Sequence, residues 1–463
     1  MEIKINIPAP VYFIIQELEK CGYEAYMVGG CVRDSVLGRE PHDYDICTSA
    51  RPDEILKVFP YEEIIPTGLQ HGTVTILIND EAYEVTTYRI DGKYSDNRRP
   101  DKVEFTSNLI EDLKRRDFTI NAMAYNPKTG LIDPFNGMED IKNHIIRCVG
   151  NPKDRFSEDA LRILRAIRFA AVLDFIIAEE THKAIIELKD TLSNISMERI
   201  NSEFCKIINS SNPEYYLNEY RDVISVFIPE LIQSFDFKQN NPYHCYDVYY
   251  HSLFALNSYA IACLYMWKED RNDIIVRLAL FFHDIGKSFC ETMDVNGISH
   301  FYGHAKISAE MTNEIMKRMK FDNETREAVV ELISYHDATF KVDEKCIKRF
   351  LNKIGEKQFR RLLTLHYFDI CAQSPKYKKP RLDKITELEQ LLEKILQEKQ
   401  CFSLKDLAVN GNDVKKVMMI KEGKDIGYWL NEILNRVIDG ELKNNKEDLI
   451  YWMTGVADGW IKI

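Results

Sequence analysis

No two of the eleven cysteines form a Cys-x-x-Cys pair, which argues against a zinc ribbon and suggests no disulfide framework. They read as reduced, mostly buried thiols of a cytoplasmic protein. No uninterrupted apolar run reaches the ~18 residues that a membrane helix needs, so no membrane partner is expected. Met1-Glu2-Ile3-Lys4 opens without the apolar core of a secretory leader. Positive charge is also short, with 61 Lys and Arg against 73 Asp and Glu, a formal net charge of -12 and a pI near 5.5. That balance argues against a basic coat for nucleic acid over the whole surface but leaves room for a local basic patch. Repeats and low-complexity tracts are missing too. At 463 residues the chain is too long for one core, and ordinary domain sizes divide it into roughly three or four.

What the sequence does contain is Tyr26-Met27-Val28-Gly29-Gly30-Cys31-Val32-Arg33-Asp34, followed by His42-Asp43-Tyr44-Asp45-Ile46-Cys47. This reads as an apolar strand, a paired-glycine turn, a helix start and a second strand over residues 43–47. Alternation along that strand aims Asp43 and Asp45 at one point. Two like charges held so close call for a cation between them, and hard carboxylate oxygens beside a phosphate site favour Mg2+. Gly29 and Gly30 let backbone approach a triphosphate, and Arg33 in the first helical turn reaches the same phosphates. Either piece alone is an ordinary turn or a solvated strand end. In this order they describe nucleotidyl transfer, in which a carboxylate-held metal pair activates a hydroxyl and neutralises the departing pyrophosphate.

A helix is expected over 9–21 and strands over 24–28, 43–47, 73–78 and 82–89, together a small mixed sheet. Glu84 is the candidate third carboxylate, with a cross-strand salt bridge as the competing reading. From Asp91 to about Asp112, around Arg98-Arg99-Pro100, the sequence predicts a mobile loop near the site. In Arg115-Arg116-Asp117 the forked, permanently charged guanidiniums suit a triphosphate. Further on, Ser157 is the expected N-cap of a helix whose Ala160, Ile163, Leu164, Ile167 and Ala171 form an apolar stripe. Its opposite face carries Asp159 and Arg162, with Arg165 and Arg168 continuing at the same interval. Asp159 accepting from an exocyclic amine and Arg162 donating to ring acceptors would read a base edge. A surface ion pair is the alternative.

These motifs, with Glu198-Arg199 and Glu203, resemble in order and spacing those of the class II tRNA nucleotidyltransferases, which include CCA-adding enzymes and bacterial poly(A) polymerases. The resemblance implies an α+β chain: a small mixed-sheet nucleotidyltransferase head (1–147), an all-α neck for base recognition (148–210), a helical domain (211–375) and a helical tail for tRNA binding (376–463). It implies Mg2+ on Asp43 and Asp45, triphosphate contacts from Gly29, Gly30, Arg33 and Arg116, and CTP and ATP selected by Asp159 and Arg162. Pro66-Thr67-Gly68-Leu69-Gln70-His71-Gly72-Thr73-Val74 is similar to the CCA-adding form. The alternatives it leaves are poly(A) addition, partial CC or A addition, and a phosphohydrolase with an RNA-binding head.

The second half supplies His251, then His283-Asp284 after the apolar run Leu278–Phe282, then Asp369. Imidazole and carboxylate ligands on facing helices make a metal site that activates water for phosphate-ester hydrolysis. The set resembles an HD-type phosphohydrolase domain, with a divalent transition metal or Mg2+ expected and His304, His336 and Asp337 as further ligands or pocket residues. Lys376, Lys378, Lys379 and Arg381 read as an exposed basic loop that contacts RNA phosphates, or as a plain linker. From residue 404 onward the chain resembles the tail of Gram-positive-type CCA-adding enzymes. Gly411-Asn412-Asp413 stands there where Gly-Lys-Asp is usual.

Overall fold

The computed structural model describes residues 5–92, 103–265, 272–420 and 423–461, and the chain forms two compact units. In the first, comprising residues 1–232 and 318–321, the strands are β1 (Ala25–Val28), β2 (Ile46–Thr48), β3 (Glu63–Gly68), β4 (Thr73–Ile78), β5 (Glu81–Thr87), β6 (Arg89–Asp91), β7 (Val103–Phe105), β8 (Ala124–Asn126) and β9 (Gly130–Ile132). Seven of them form one mixed sheet in the order β3-β4-β5-β2-β1-β8-β9, and β6 pairs with β7. All four residues of β1 are buried, since helix Ala9–Lys20 packs against it and Tyr26 and Val28 join Leu109 and Leu113 of helix Leu109–Lys114 in one apolar cluster.

The strand expected over 43–47 is shorter and shifted, pairing only over Ile46–Thr48. Val28 N still donates to Asp45 O at 3.0 Å, but β1 then turns away at Gly29, so Asp43 has no neighbouring strand to pair with. Of the loop expected from Asp91 to Asp112, Val103–Phe105 is a strand and Leu109–Lys114 a helix, while Arg98-Arg99-Pro100 lies outside the described residues. β3, β8 and β9 were not anticipated. The last two are three-residue strands, too short to show alternation.

After the sheet, helix Leu161–Leu173 buries Ile163, Leu164, Ile167, Ala170 and Ala171 and packs on helix Met197–Ile208. This part is not purely helical, because Ile145–Ile146 and Ile176–Ile177 form a short parallel pair.

The second unit comprises residues 233–317 and 322–463. Helices Val248–Tyr265, Ile274–Phe282 and Glu344–Cys371 pack mutually, and the last is kinked at Gly355, whose φ of 77° breaks the helical path. The stretch read as an exposed basic loop is instead the start of helix Pro375–Gln397. Pro375 occupies a first-turn position where no N–H is needed, and Pro380 costs one bond near the start of an otherwise strongly helix-forming run. The tail has its own core, built on Ile433, Leu434, Leu449 and Met453.

Candidate active site and a second ligand cluster

The parallel pairing of Ile46 with Val85 and Cys47 with Thr86 sets the preceding residues, Asp45 and Glu84, side by side. Both line a cleft of about 180 Å³ with Arg89, Arg115 and Arg116. Partial burial lifts the Asp45 carboxyl above the usual range against the pull of Arg116, and the Asp43 charge adds to it. Glu84 is lifted too, by partial burial and then by Asp45 and Asp43. Two carboxylates held above their ordinary proton affinity, with the Asp43 charge nearby, form a site short of positive charge, which fits a divalent cation. Glycine is favoured at position 29. Its φ is 79°, and a Cβ would stand 3.1 Å from Arg116 Nη1 and 3.9 Å from Asp45 Oδ2.

Arg33 is buried and held in place. Its Nε and Nη2 donate to Asp34 at 2.9 Å each, and its Nη1 donates to Asn121 Oδ1 at 2.7 Å. Asn121 Nδ2 donates in turn to Asp117 Oδ1 at 3.2 Å, and Asp117 Oδ2 accepts from Arg165 Nε at 2.8 Å and Nη2 at 2.5 Å. Burial would raise the Asp117 carboxyl, but Arg165 and Arg162 hold it well below the usual carboxylate range. Arg168 pairs with Glu203 at 2.8 Å. The guanidiniums of Arg33, Arg165 and Arg168 stand 5.0, 5.3 and 3.7 Å from the Phe169 ring, so one aromatic side chain is shared by three cations.

The expected helix through Asp159 is two helices, Pro152–Glu158 and Leu161–Leu173. Ser157 lies inside the first of them, so it is no N-cap. Asp159 is extended between the two (φ -137°, ψ 104°), and its Oδ1 accepts from Leu161 N at 3.1 Å. Its Oδ2 accepts from Arg199 Nη2 at 2.8 Å. Arg162 Nη1 donates to Glu158 at 2.6 Å and to Arg155 O at 3.2 Å, and Nη2 donates to Arg115 O at 3.0 Å, leaving Nε and one Nη2 hydrogen uncommitted.

The second unit brings together His251, His283, Asp284 and Asp369 as expected. His251 Nε2 lies 2.8 Å from Asp369 Oδ1 and 3.4 Å from Asp284 Oδ2, and His283 Nε2 lies 3.2 Å from Asp284 Oδ2 and 3.7 Å from Asp369 Oδ1. Burial works against a charge on His283, yet Asp284 and Asp369 override it and push the imidazole up to about 10. Gln373 Nε2 holds the other oxygen of Asp369 at 3.1 Å, and Arg381 holds Gln373. The donor set of imidazole nitrogens and carboxylate oxygens fits a divalent metal. Lys376 and Arg381 line the same cavity, of about 750 Å³, whereas Lys378 and Lys379 line a separate groove with Tyr367.

Residues 25–147 match the Poly A polymerase head domain family, 174–232 the probable RNA and SrmB-binding site of polymerase A, and 294–453 the tRNA nucleotidyltransferase domain 2 family. The CCA-adding enzyme of Ligilactobacillus salivarius is 33% identical over 453 residues, which is 94% of each chain. The chain belongs to the CCA-adding enzymes. Over 194 residues, 42% of this chain and 48% of its relative, it is 54% identical to the CCA-adding enzyme of Lactobacillus helveticus. A crystal structure of the Bacillus stearothermophilus CCA-adding enzyme in complex with CTP matches with a TM-score of 0.70 at 28% identity, covering 98% of this chain and 99% of that one. As a CCA-adding enzyme the chain is a nucleotidyltransferase with the α+β fold expected. Among its described residues no helix is long and apolar enough to cross a membrane.

Within that family frame, three side chains had not been singled out. Asp112 pairs with Arg115 at 2.8 Å and with Arg116 at 3.6 Å, and its i+3 and i+4 spacing to them was a readable signal. Asn121 and Phe169 each lie four residues after a partner, Asp117 and Arg165, which was a readable spacing, whereas their contacts with Arg33 come only through tertiary packing.

Proposed function

We propose that this CCA-adding enzyme restores the 3′ CCA end of tRNA from CTP and ATP without a nucleic-acid template, using Asp43, Asp45 and Glu84 as the catalytic carboxylates. The observation that carries the residue assignment is the meeting of Asp45 and Glu84 with Arg116 at one cleft, beside a glycine whose positive φ and close approach to Arg116 disfavour any side chain. Asp43 and Asp45 would hold Mg2+, which when bound neutralises triphosphate charge and makes the acceptor hydroxyl a better nucleophile. The terminal 3′ oxygen of the tRNA bonds to the α-phosphorus, and the bond to the β-phosphate bridging oxygen breaks to release pyrophosphate. Gly29 and Gly30 leave room for the phosphates, while Arg33 and Arg116 present pre-oriented donors to them. Asp159 and the uncommitted hydrogens of Arg162 face the base, with Arg165 and Arg168 maintaining positive potential behind them. The working division is head 1–147, neck 148–210, helical domain 211–375 and tail 376–463. In it Lys378 and Lys379 remain candidate RNA contacts, and Lys376 and Arg381 face the second cavity.

The test offers CTP, ATP and Mg2+ to tRNA transcripts ending before CCA, after the first C and after CC. Addition of CCA, CA and A respectively, followed by arrest, is expected. A lengthening A tail on these and on unrelated RNA would replace this reading with poly(A) addition.

A second activity is favoured by the cluster of His251, His283, Asp284 and Asp369: metal-dependent hydrolysis of a phosphate ester in the HD-type domain. Four ligand side chains, three of them with no more than 1% exposure, converge from three helical segments, and two of them, Asp284 and Asp369, line a large cavity.

A further inference from the structure

One aromatic side chain ties the glycine turn of the head to the helix that carries Arg165 and Arg168. Phe169 lies on that helix, Leu161–Leu173, and is 6% exposed, while Arg33 comes from helix Gly30–Val36. The Arg168 guanidinium stands 3.7 Å from the centre of the Phe169 ring, in stacking contact, and those of Arg33 and Arg165 stand at 5.0 and 5.3 Å. Each cation has its own carboxylate: Asp34 for Arg33, Asp117 for Arg165 and Glu203 for Arg168. A carboxylate holds a guanidinium by its edge, because all five donors lie in the plane of the group. The faces of the cation carry no donor, and what they attract is the negative face of a ring.

Crowding gives that attraction its importance. Burial presses the Arg168 guanidinium down to about 10 against the pull of Glu203, and the charges of Arg165 and Arg33 press in the same direction. Three cations around one centre repel one another, and an aliphatic side chain in place of the ring would fill space without opposing that repulsion. The ring also closes a circuit. Arg33 Nη1 donates to Asn121 Oδ1, Asn121 Nδ2 donates to Asp117 Oδ1, Arg165 donates to Asp117 Oδ2, and Phe169 leads from Arg165 back to Arg33. Arg33 commits two donors to Asp34 and one to Asn121, so two of its five remain. Phe118 packs on the Phe169 ring in a T, with centroids 5.7 Å apart and planes at 78°, which fixes the tilt of the ring.

We propose that Phe169 is a positioning residue for the triphosphate: by holding the plane of the Arg33 guanidinium it aims the two remaining donors at the phosphates of CTP and ATP alike. This rests on the reading of Arg33 as a phosphate contact. Asp159 and Arg162 are held by other partners, Arg199, Glu158 and the carbonyls of Arg155 and Arg115, so the choice of base is independent of the ring.

The experiment replaces Phe169 in the full-length chain with 4-fluoro-, 3,5-difluoro- and 3,4,5-trifluorophenylalanine, which drain the negative face of the ring in steps at nearly constant shape. With Mg2+ present, KM is measured for CTP on tRNA ending before CCA and for ATP on tRNA ending after CC. The inhibition constant of inorganic tripolyphosphate, which has phosphates and no base, is measured beside them. All three constants should rise together along the series, by about threefold to tenfold at three fluorines, while kcat stays within about twofold. Arg33→Met should raise the tripolyphosphate constant by about tenfold or more, with thermal melting confirming the fold, and Arg33→Lys, which keeps the charge and loses the fork, takes its place if it does not fold. If the Arg33 variant raises that constant and the fluorine series leaves it flat, the ring only packs, whatever happens to Tm, and the positioning role is overturned. An unchanged constant in the Arg33 variant would overturn the phosphate assignment of Arg33 and the role of Phe169 with it. A rise in KM for one nucleotide alone would also overturn the proposal, because it would move Phe169 to the selection of the base.

Discussion

Replacing Asp117 with asparagine tests whether the buried chain from Arg33 through Asn121 and Asp117 to Arg165 joins sheet and helix in the first unit. Asp117 is 8% exposed and accepts from Phe118 N at 2.8 Å, Asn121 Nδ2 at 3.2 Å and both forks of Arg165. In asparagine either the oxygen or the amide must face the guanidinium, so the charge-assisted pair is weakened or replaced by two opposed donors. Breaking one member of a buried pair costs about 3–5 kcal/mol. The Arg165 side chain is 34% exposed and recovers some hydration, which places the expected loss near the lower end, about 3 kcal/mol. For a unit of this size that lowers Tm by about 6–12 °C by calorimetry. A cycle with Arg165→Met should show the double variant less destabilised than the sum of the singles by at least about 1 kcal/mol. Because the folded carboxyl titrates below its unfolded value, this stability is present above about pH 4 and is lost as pH falls through the folded pKa. The Tm difference between parent and Asp117→Asn should therefore shrink in acid. A Tm shift under about 2 °C at pH 7, or additive singles, would refute the coupling.

Three further outcomes follow from the head. Asp45→Asn should reduce nucleotide addition by at least about 10²–10³-fold while the melting curve stays in place, and retention of a tenth of the activity would remove Asp45 from the catalytic set. Since Asp45 and Glu84 both hold protons more tightly than ordinary carboxylates, Mg2+ must displace those protons. The Mg2+ concentration for half-maximal addition should fall as pH rises from about 5 to 7, and a flat profile would contradict the shared site. Gly29→Ala forces a side chain into a left-handed backbone against Arg116, and should cost about 1–2 kcal/mol and raise KM for nucleotide. Gly22→Ala, at φ +87° with nothing within 4 Å of its Cβ, is the control, expected to share the strain and leave KM unchanged.

The sheet was legible where alternation ran long enough, as in β4 and β5, or where a short apolar run preceded the paired glycines, as in β1, and the glycines and Asp45 marked the cleft. Asp159 was misread as helical because Ser157–Arg168 contains no glycine or proline, and a helix-forming run hides a break made by one capping carboxylate. The basic stretch was misread for the opposite reason, since its prolines look like loop punctuation although Pro375 starts a helix. The tautomers of His304 and His336 were out of reach of any sequence pattern, because they depend on which carbonyl each ring meets.

Those carbonyls have a consequence of their own. His283 and His336 each cap a helix C-terminus, and each ring bonds a carbonyl of the last turn three residues back, which at Ile333 also accepts from His336 N. The bond that finishes the helix is therefore the bond that aims the ligand. Fraying of the last turn and release of a cation become one equilibrium seen from two sides. Amide exchange at these helix ends should slow in proportion to metal loading, making the backbone itself a reporter of the site's occupancy.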